Sequence, residues 1–344
     1  LTEQASEIGN CLLETVKEYC LNPDNYSCAN KNTSAGINIT LYVFFVFGVL
    51  LTTCGNLVVI ISISHFKQLH TQTNLLVLSL AVTDFLLGLF VMPISMIKTV
   101  DKCWSFSSAL CITHKFLDLV LSTGSVIHLL FIAVDRYYAV SYPLLYSFKI
   151  TFSVALMFVI VSWLWPIFYI SISLFYFKGN HLLQQIDTYS CEEQCISIAE
   201  ASPLLFDLLI SFFLPFSIMS FLYTKICFVA RRHAKAIKCA SKQNKERLAQ
   251  IKENKASKTL GIVITVFVLC WLPYSVYCIL NILLTMDNSE VTLTAFEWLA
   301  YFNSGINPII YGLFYPWFRK TFKIIISCRI FKPDSSLISV FPDK

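Results

Sequence analysis

The stretch FNSGINPIIYGLFYPWFRKTF, residues 302–322, joins the end of an apolar segment to a segment that mixes aromatic and basic residues. Its first half is hydrophobic enough to lie in a bilayer, yet it contains Asn303 and Asn307. Polar groups in lipid are costly unless protein, water or an ion satisfies them. The second half sets Trp317 and Phe318 beside basic residues, which predicts an amphipathic helix on the membrane surface.

The composition of the whole chain also indicates a membrane protein. Of its 344 residues, 56% are hydrophobic and only 14% are charged, whereas soluble domains carry about 25% charged residues. A spanning helix needs about 20 predominantly apolar residues. The sequence therefore predicts an all-α membrane protein, a seven-transmembrane helix bundle with a short amphipathic eighth helix. The predicted spans are 40–64, 73–97, 108–140, 151–175, 203–230, 257–285 and 292–315.

Charge gives the predicted orientation, because Lys and Arg favour the cytoplasmic side of a membrane. The segment 231–258 between helices five and six is heavily basic, as is FRKTFK after helix seven. We therefore expect a multi-pass plasma-membrane protein with an extracellular N-terminus. Its expected parts are a glycosylated tail over 1–39, the seven-helix domain over 40–315, and the amphipathic helix with a cytoplasmic tail over 316–344.

Several positions outside the spans are predicted modification sites. Three N-x-[ST] sequons lie in the N-terminal tail, at Asn25, Asn32 and Asn38, and we expect glycosylation there. Cys328 follows helix seven in a juxtamembrane context, which predicts palmitoylation. Pro333 is expected to end the amphipathic helix.

Each of the seven predicted helices carries a polar or kinking marker. Any marker alone would as readily be a packing or kink residue. In order they are Asn56, Asp84, Asp135 with Arg136, Trp163, Pro215, Trp271 with Pro273, and Asn307 with Pro308 and Tyr311. Together the markers resemble the rhodopsin-like family of G protein-coupled receptors over residues 40–328. The resemblance implies a heterotrimeric G protein and membrane lipids as partners, without nucleic acid.

The resemblance also assigns roles to interior residues. Arg136 matches a switch arginine restrained by Asp135 and by Glu253, and Tyr223 and Tyr311 match tyrosines that rearrange when helix six moves outward. A packing triad beneath the ligand is matched by Pro215, Val126 and Phe267. A structural sodium ion of the inactive state is the only cofactor implied. The residues that match its site are Asp84, Ser125, Asn303, Ser304 and Asn307.

Asp118 is the predicted anchor of the ligand. It precedes Arg136 by 18 residues, which on an α-helix is five turns and roughly 27 Å. One face of helix three therefore carries an outer carboxylate and an inner arginine. In receptors for biogenic amines the matching aspartate pairs with the ligand's ammonium. An alternative is that Asp118 pairs with Lys115 or His114.

Aromatic residues favour the amine interpretation, because cations bind to aromatic faces. By resemblance, Tyr301 supports the salt bridge of Asp118, and Ser122 is a further contact on helix three. The four residues that match an aromatic cage are Trp271, Tyr274, Trp298 and Tyr301.

Within the family, the segments 61–74, 92–104 and 307–320 look most like the trace amine-associated receptors. Members of this group join the N-terminal tail to the second outer loop by an extra disulfide. The resemblance therefore implies two bridges, although sequence alone leaves the tail partner open. They are Cys111–Cys195 and Cys28–Cys191, with Cys11–Cys20 as a further pair.

A second carboxylate, Asp207, interrupts the apolar stretch ASPLLFDLLISFFLPF at 201–216. With Asp118 it resembles the two-acid arrangement of trace amine-associated receptors that bind diamines such as cadaverine and putrescine. The alternative is a solvated residue at the membrane edge. Glu297 precedes Tyr301 by four residues and so shares its helical face. Glu297 is either a third acid of the site or a lid contact with Lys98 or Lys102.

The sequence thus predicts a receptor for di- or polyamines such as cadaverine, putrescine, spermidine and spermine. By resemblance it raises cyclic AMP through a stimulatory G protein and acts in olfaction. One alternative is a monoamine receptor that uses Asp118 alone. A cation transporter is another, which the missing internal repeats argue against. An enzyme is not expected, because HExxH, GxSxG and phosphate-loop spacings are missing from the sequence.

Overall fold

The computed structural model describes residues 35–101, 106–179, 208–239, 244–284 and 290–341. Throughout these ranges the regular secondary structure is helical, and it forms the expected seven-transmembrane bundle with an eighth helix. The helices, numbered in the order in which they cross the bundle, are Ala35–His65, Gln72–Asp101, Ser108–Ser141, Phe152–Gly179, a fifth that is described from Leu208 to Cys239, Asn244–Leu284, Glu290–Phe314 and Pro316–Ile326.

Six of the described helices are long and apolar enough to cross a membrane. The other long helix, helix seven, has 25 residues but carries Glu297, Asn303 and Asn307, which lower its hydropathy. Helix six begins at Asn244, well before the predicted start of its span at residue 257. Its first turns are polar and basic, so a search of the sequence for apolar segments finds only the membrane part of the helix.

Local sequence explains several helix boundaries. Thr71 and Ser107 precede helices two and three, and their hydroxyls accept hydrogen bonds from the backbone N–H groups of Asn74 and Leu110. Such caps satisfy amides that have no partner within the helix. A short loop helix, Pro143–Lys149, follows helix three and has proline at its first position. Proline is favoured there because its fixed φ suits the first helical turn.

Within the described residues, two π-helical turns interrupt the regular helices. One, Leu87–Val91, lies within helix two, and the other, Leu209–Phe213, lies near the described start of helix five. A π turn inserts extra backbone and shifts the face that the following residues present. Both turns lie in the half of the bundle that contains Asp118.

Helix three is central, because it packs against helices two, four, five and six. A buried apolar cluster at its middle includes Val126, Leu129, Met219, Phe267 and Ile310. This cluster separates the outer polar site around Asp118 from the inner one around Arg136.

The prediction that Pro333 ends helix eight is wrong. The helix ends at Ile326, and Cys328 adopts a left-handed conformation with φ 55°. A left-handed residue directs the chain away from the helix axis. The following residues then turn back through two short 3₁₀ helices, Arg329–Phe331 and Ser335–Leu337.

Helix eight lies along the inner end of helix one. Trp317, Phe318 and Ile324 are buried, whereas Phe322 and Ile326 remain exposed. The apolar pattern with adjacent basic residues thus produces the amphipathic helix that the sequence predicts.

Candidate functional site

Asp118 lies on the outer half of helix three with only 8% of its surface exposed. Lys115, one turn earlier on the same helix, places its Nζ 3.8 Å from Asp118 Oδ2. The same Nζ lies 3.8 Å from Oε1 of Glu297 on helix seven. The pairing of Asp118 with Lys115 that the sequence left open is therefore present, and it extends to Glu297.

Hydroxyl groups surround the two carboxylates. Ser122 donates to Asp118 Oδ1 at 3.5 Å, since it lies one turn further along helix three. Tyr301 is 3% exposed, and its hydroxyl donates to Glu297 Oε1 at 3.2 Å. Ser95 of helix two in turn donates to the Tyr301 hydroxyl at 3.5 Å. Helices two, three and seven thus meet in one polar site.

Ser95 and His114 were not predicted to belong to this site, although His114 was weighed as a partner of Asp118. His114 is buried and lies 3.1 Å from the Ser95 hydroxyl through its Nε2. The local signal was the helical spacing of His114 to Asp118, which places both on one side of helix three. The contribution of helix two depends on tertiary packing that the spacing does not show.

The predicted aromatic residues fall into two groups. Trp271 and Tyr274 form an edge-to-face pair with ring centroids 6.2 Å apart, and Trp271 packs above Phe267 of the buried cluster. Trp298 and Tyr301 form a second edge-to-face pair at 5.7 Å. Trp298 also stacks on Phe45 at 4.0 Å, and its Nε1 donates to Thr99 at 2.9 Å. Its ring therefore connects helix seven to helices one and two.

Other predicted residues lie outside the described residues. Those positions are Asp207, Cys28, Cys191, Cys195, Asn25 and Asn32, together with the side chain of Glu253. Cys111 is disulfide-bonded, while the described cysteines that are free are Cys54, Cys227, Cys270, Cys278 and Cys328. The partner of Cys111 is therefore outside the described residues, and the predicted pairing with Cys195 stays a prediction. Asn38 lies in the first turn of helix one.

Asp84 lies at the centre of a second buried cluster. It is fully buried, and it accepts hydrogen bonds from Ser125 at 2.9 Å and from the Asn307 amide at 2.8 Å. Asn303 and Ser304 are also buried on the facing helix. Carboxylate, hydroxyl and amide oxygens are hard donors, which suit a hard cation such as sodium. Asn307 presents its amide nitrogen to Asp84, so it fits as a supporting residue.

A third polar cluster closes the inner end of helix three. Asp135 is completely buried and accepts hydrogen bonds from Arg136 at 2.9 and 2.7 Å. It also accepts from Thr73 at 2.8 Å and from Tyr146 at 2.8 Å. Arg136 contacts Thr73 closely as well. We call Asp135, Arg136, Thr73 and Tyr146 the Asp135 cluster.

Thr73 and Tyr146 were not among the predicted residues. Tyr146 belongs to the loop helix, and its burial, together with the charge of Asp135, raises the pKa of its phenol to about 12. The hydroxyl is therefore a stable donor at neutral pH. Tyr146 follows Asp135 by eleven residues across a break between helices, so helical periodicity gives no signal for this contact.

Tyr223 of helix five packs closely against Gly261 of helix six. The Tyr223 phenol lies directly over the Cα of Gly261, where an added Cβ would overlap the ring and its hydroxyl. Glycine allows this close approach because it lacks a Cβ, and an alanine here would force the Tyr223 side chain to move. Gly261 was not predicted, and Tyr223 was predicted to rearrange when helix six moves.

Trp163 is tied to helices two and three by hydrogen bonds. Its Nε1 donates to Ser79 Oγ at 2.9 Å, and Ser79 Oγ lies 2.7 Å from His128 Nε2. His128 is fully buried, and its Nδ1 lies 2.7 Å from the carbonyl of Gly124. The sequence left open whether Trp163 has a packing role or a special role. This arrangement supports the packing role.

Comparisons with known proteins agree with this architecture. Residues 55–311 match the family model described as 7 transmembrane receptor (rhodopsin family). Trace amine-associated receptor 13c of Danio rerio is 44% identical over 94% of this chain and 96% of its own length. Trace amine-associated receptor 4 of Rattus norvegicus is 42% identical over 94% of this chain and 96% of its own. Trace amine-associated receptor 6 of Homo sapiens is 40% identical over 97% of this chain and 99% of its own.

The matches cover nearly the whole chain, and the bundle that they imply is the one described above. Of the residues that carried the resemblance, Asp84 and Asn307 lie in one of its buried polar clusters, and Asp135 and Arg136 lie in another. The chain therefore belongs to the rhodopsin family of seven-transmembrane G protein-coupled receptors and, within it, to the trace amine-associated receptors.

Proposed function

We propose that this receptor senses extracellular amines, with di- and polyamines such as cadaverine, putrescine, spermidine and spermine as its preferred ligands. The proposal rests on the buried Asp118 carboxylate, which shares one polar site with the Glu297 carboxylate. Acids within a spanning bundle are costly and mark functional sites. A cation that enters from outside the cell would complement their negative charge.

The neighbouring side chains support an ammonium ligand. Ser122 and Tyr301 hold the two carboxylates by hydrogen bonds. Trp271 and Tyr274 would supply aromatic faces to the cation and its methylene chain. Asp207, whose position follows from the sequence, would receive the second ammonium of a diamine.

A monoamine receptor with Asp118 as its single anchor is the second candidate. The observation that favours it is Lys115, whose positive charge offsets one of the two described carboxylates. Asp118, Glu297 and Lys115 together carry one net negative charge, which matches one ammonium group. The choice between the candidates therefore depends on Asp207.

Signalling would follow from the different affinity of the ligand for two states of the bundle. In the inactive state Asp84, Ser125, Asn303 and Ser304 would hold a sodium ion, which would supply a positive charge beside Asp84. Ligand binding would favour the state in which helix six moves outward around Pro273 and Arg136 leaves the Asp135 cluster. The opened cavity would admit a stimulatory G protein and raise cyclic AMP.

As a member of this family, the chain is a multi-pass protein of the plasma membrane. We propose that its N-terminus is extracellular, with Asn25, Asn32 and Asn38 glycosylated, and that Cys328 on the inner side is palmitoylated. A chemosensory role in olfaction accords with a receptor for volatile or small soluble amines. Its test is expression in sensory neurons that respond to the same amines.

The test of ligand class is cyclic AMP in cells that express the receptor at matched surface levels. Cadaverine, putrescine, spermidine and spermine are compared with monoamines of equal chain length. Asp118→Asn should abolish the response to every amine, because it removes the anchoring charge while keeping the side-chain shape. Asp207→Asn should weaken diamines by about tenfold or more and spare monoamines, since only diamines have a second charge to lose.

The control is Asp101→Asn, which changes an exposed acid that accepts a hydrogen bond from Tyr42 at 2.7 Å outside this site. Asp101→Asn should leave the order of potency among the amines unchanged. If monoamines are preferred and Asp207→Asn has no effect, the monoamine candidate replaces the diamine one. If no amine raises cyclic AMP at confirmed surface expression, the proposal is wrong in its ligand class or its G protein, and a G protein-independent binding assay separates the two.

A further inference from the structure

The outer site already contains a cation of its own. The Lys115 ammonium lies at the same distance, 3.8 Å, from a carboxylate oxygen of Asp118 and from one of Glu297. The Lys115 side chain is 28% exposed, whereas that of Asp118 is 11% exposed. Lys115 is therefore the more exposed partner of a more deeply buried acid.

These distances describe a loose ion pair. They are within ion-pair range but longer than the roughly 2.7–3.2 Å of a strong hydrogen bond. A lysine ammonium is a compact charge on a flexible four-carbon stem, so it can change partners at little cost. Glu297 offers it a second carboxylate when the first is taken.

We propose that Lys115 is a tethered competitor for the amine site. In the empty receptor its ammonium neutralises Asp118 and Glu297, and a ligand ammonium must displace it from Asp118 in order to bind. This inference rests on the proposed amine-sensing function and identifies the residue that sets its threshold concentration. Glu297 then acts through Lys115, because it holds the displaced ammonium while the ligand occupies Asp118.

Competition of this kind lowers affinity without removing any ligand contact. If only a fraction of receptors has Asp118 open, the apparent dissociation constant rises by the inverse of that fraction. With Lys115 on Asp118 for about nine-tenths of the time, the loss is about tenfold. The effect falls equally on mono- and diamines, because both must place one ammonium at Asp118.

The main test is the amine potency of Lys115→Gln in the cyclic AMP assay. We expect the half-maximal concentration of a monoamine to fall by about tenfold, since the competing charge is gone. Lys115→Arg keeps a positive charge and should remain within about threefold of wild type. Unchanged or weaker potency in Lys115→Gln would overturn the proposal.

The role of Glu297 is tested by a double-mutant cycle, which measures coupling between neighbouring residues. In the wild-type background, Glu297→Gln should lower the potency of amines severalfold. The variant removes the Glu297 contact of the Lys115 ammonium and leaves its contact with Asp118, for which the ligand competes. In the Lys115→Gln background the same change should have little effect. Equal losses in both backgrounds would show that Glu297 contacts the ligand directly, which contradicts this part of the proposal.

An assay without signalling separates this inference from the proposed function. Purified Lys115→Ala lacks the tethered ammonium, so free ethylammonium should replace it and raise the thermal midpoint by binding to the folded state. Wild type and the double variant Lys115→Ala/Asp118→Asn should gain less from ethylammonium than Lys115→Ala at the same ionic strength. If all three respond equally, the tether is disproved even where no amine activates the receptor. If Lys115→Ala alone responds while every amine is inactive, the tether stands and the proposed function fails.

Discussion

At the scale of single residues, the Tyr146 hydroxyl makes a specific contribution to the inner end of the bundle. It donates to the buried Asp135 at 2.8 Å, and a hydrogen bond to a charged group contributes about 1.5–3 kcal/mol. Tyr146→Phe removes this donor and should weaken the hold of the Asp135 cluster on Arg136. We expect ligand-independent cyclic AMP to rise by about tenfold or more, since 1.4 kcal/mol is a factor of ten.

The effect of Tyr146→Phe should not depend on pH in the usual assay range. The folded protein raises the pKa of Tyr146 from 10.0 to about 12. The stabilisation by the neutral phenol is thus fully present below about pH 10 and is lost as the pH rises through about 12. The control is Tyr142→Phe, which removes a hydroxyl from a tyrosine that is 46% exposed. Equal basal activity in both variants would show that the Tyr146 contact does not restrain Arg136.

Gly261 gives a second prediction at this scale. Gly261→Ala places a methyl group where the Tyr223 hydroxyl and ring edge lie, so the Tyr223 side chain must leave its position between helices five and six. Overpacking of this kind costs about 1–3 kcal/mol. We expect a lower thermal midpoint and a higher basal signal, because the closed packing of the inner end is lost. Gly124→Ala is the matched control, since its added Cβ would meet its nearest neighbour at 3.6 Å.

If the added methyl group acts by overlap with Tyr223, its effect should require the Tyr223 side chain. In a Tyr223→Ala background the methyl group has space, and the further effect of Gly261→Ala should largely vanish. Such non-additivity is expected only of residues in direct contact. Additive effects would mean that the glycine acts through helix propensity and not through the ring.

At the scale of helices, the sequence predicted the number and order of the spans because lipid imposes a simple rule on length and apolarity. Four polar residues that marked their helices in the sequence, Asn56, Asp84, Asp135 and Asn307, are buried. Asp84 and Asn307 lie 223 positions apart and still meet, and the family resemblance placed them together. The start of helix six at Asn244 was missed, because polar turns beyond the membrane leave no apolar signal.

Contacts between helices set the limit of prediction for the outer site. The spacing of Lys115 and Asp118 on helix three allowed their pairing, but nothing local indicated that Glu297 would share the same ammonium. Ser95 joined through the packing of helix two, which contains a π turn at Leu87–Val91. Such irregular turns depend on tertiary contacts and lack a simple periodic pattern.

At the scale of the whole molecule, the C-terminal segment 327–341 ties together parts of the chain that are far apart in sequence. Val340 is fully buried in a cluster with Trp317 and Phe318 of helix eight. Its backbone N–H donates to Gln68 Oε1 at 3.1 Å, in the turn between helices one and two. The hydroxyl of Ser335 lies 2.9 Å from His65 Nε2 at the end of helix one. The segment therefore covers an inner surface that the sequence had left as a simple tail.

This packing predicts that a substitution at Val340 releases the C-terminal segment from the inner face of the receptor. Val340→Asp would place a carboxylate in an apolar cluster, and an unpaired buried charge is costly enough to release the segment. We expect amide hydrogen exchange of residues 335–341 to accelerate by about tenfold or more, because their hydrogen bonds open together. The exchange of the central helices should stay as in wild type.

Leu337→Asp is the control, because Leu337 is 58% exposed in the same segment and its replacement buries no charge. It should leave the exchange rates close to those of wild type. Rapid exchange already in the wild type, or equal acceleration in both variants, would show that Val340 does not anchor the segment in solution. If Val340 does anchor it, the inner surface available to a cytoplasmic partner includes the folded C-terminal segment, and a change of charge there would alter that surface without touching the amine site.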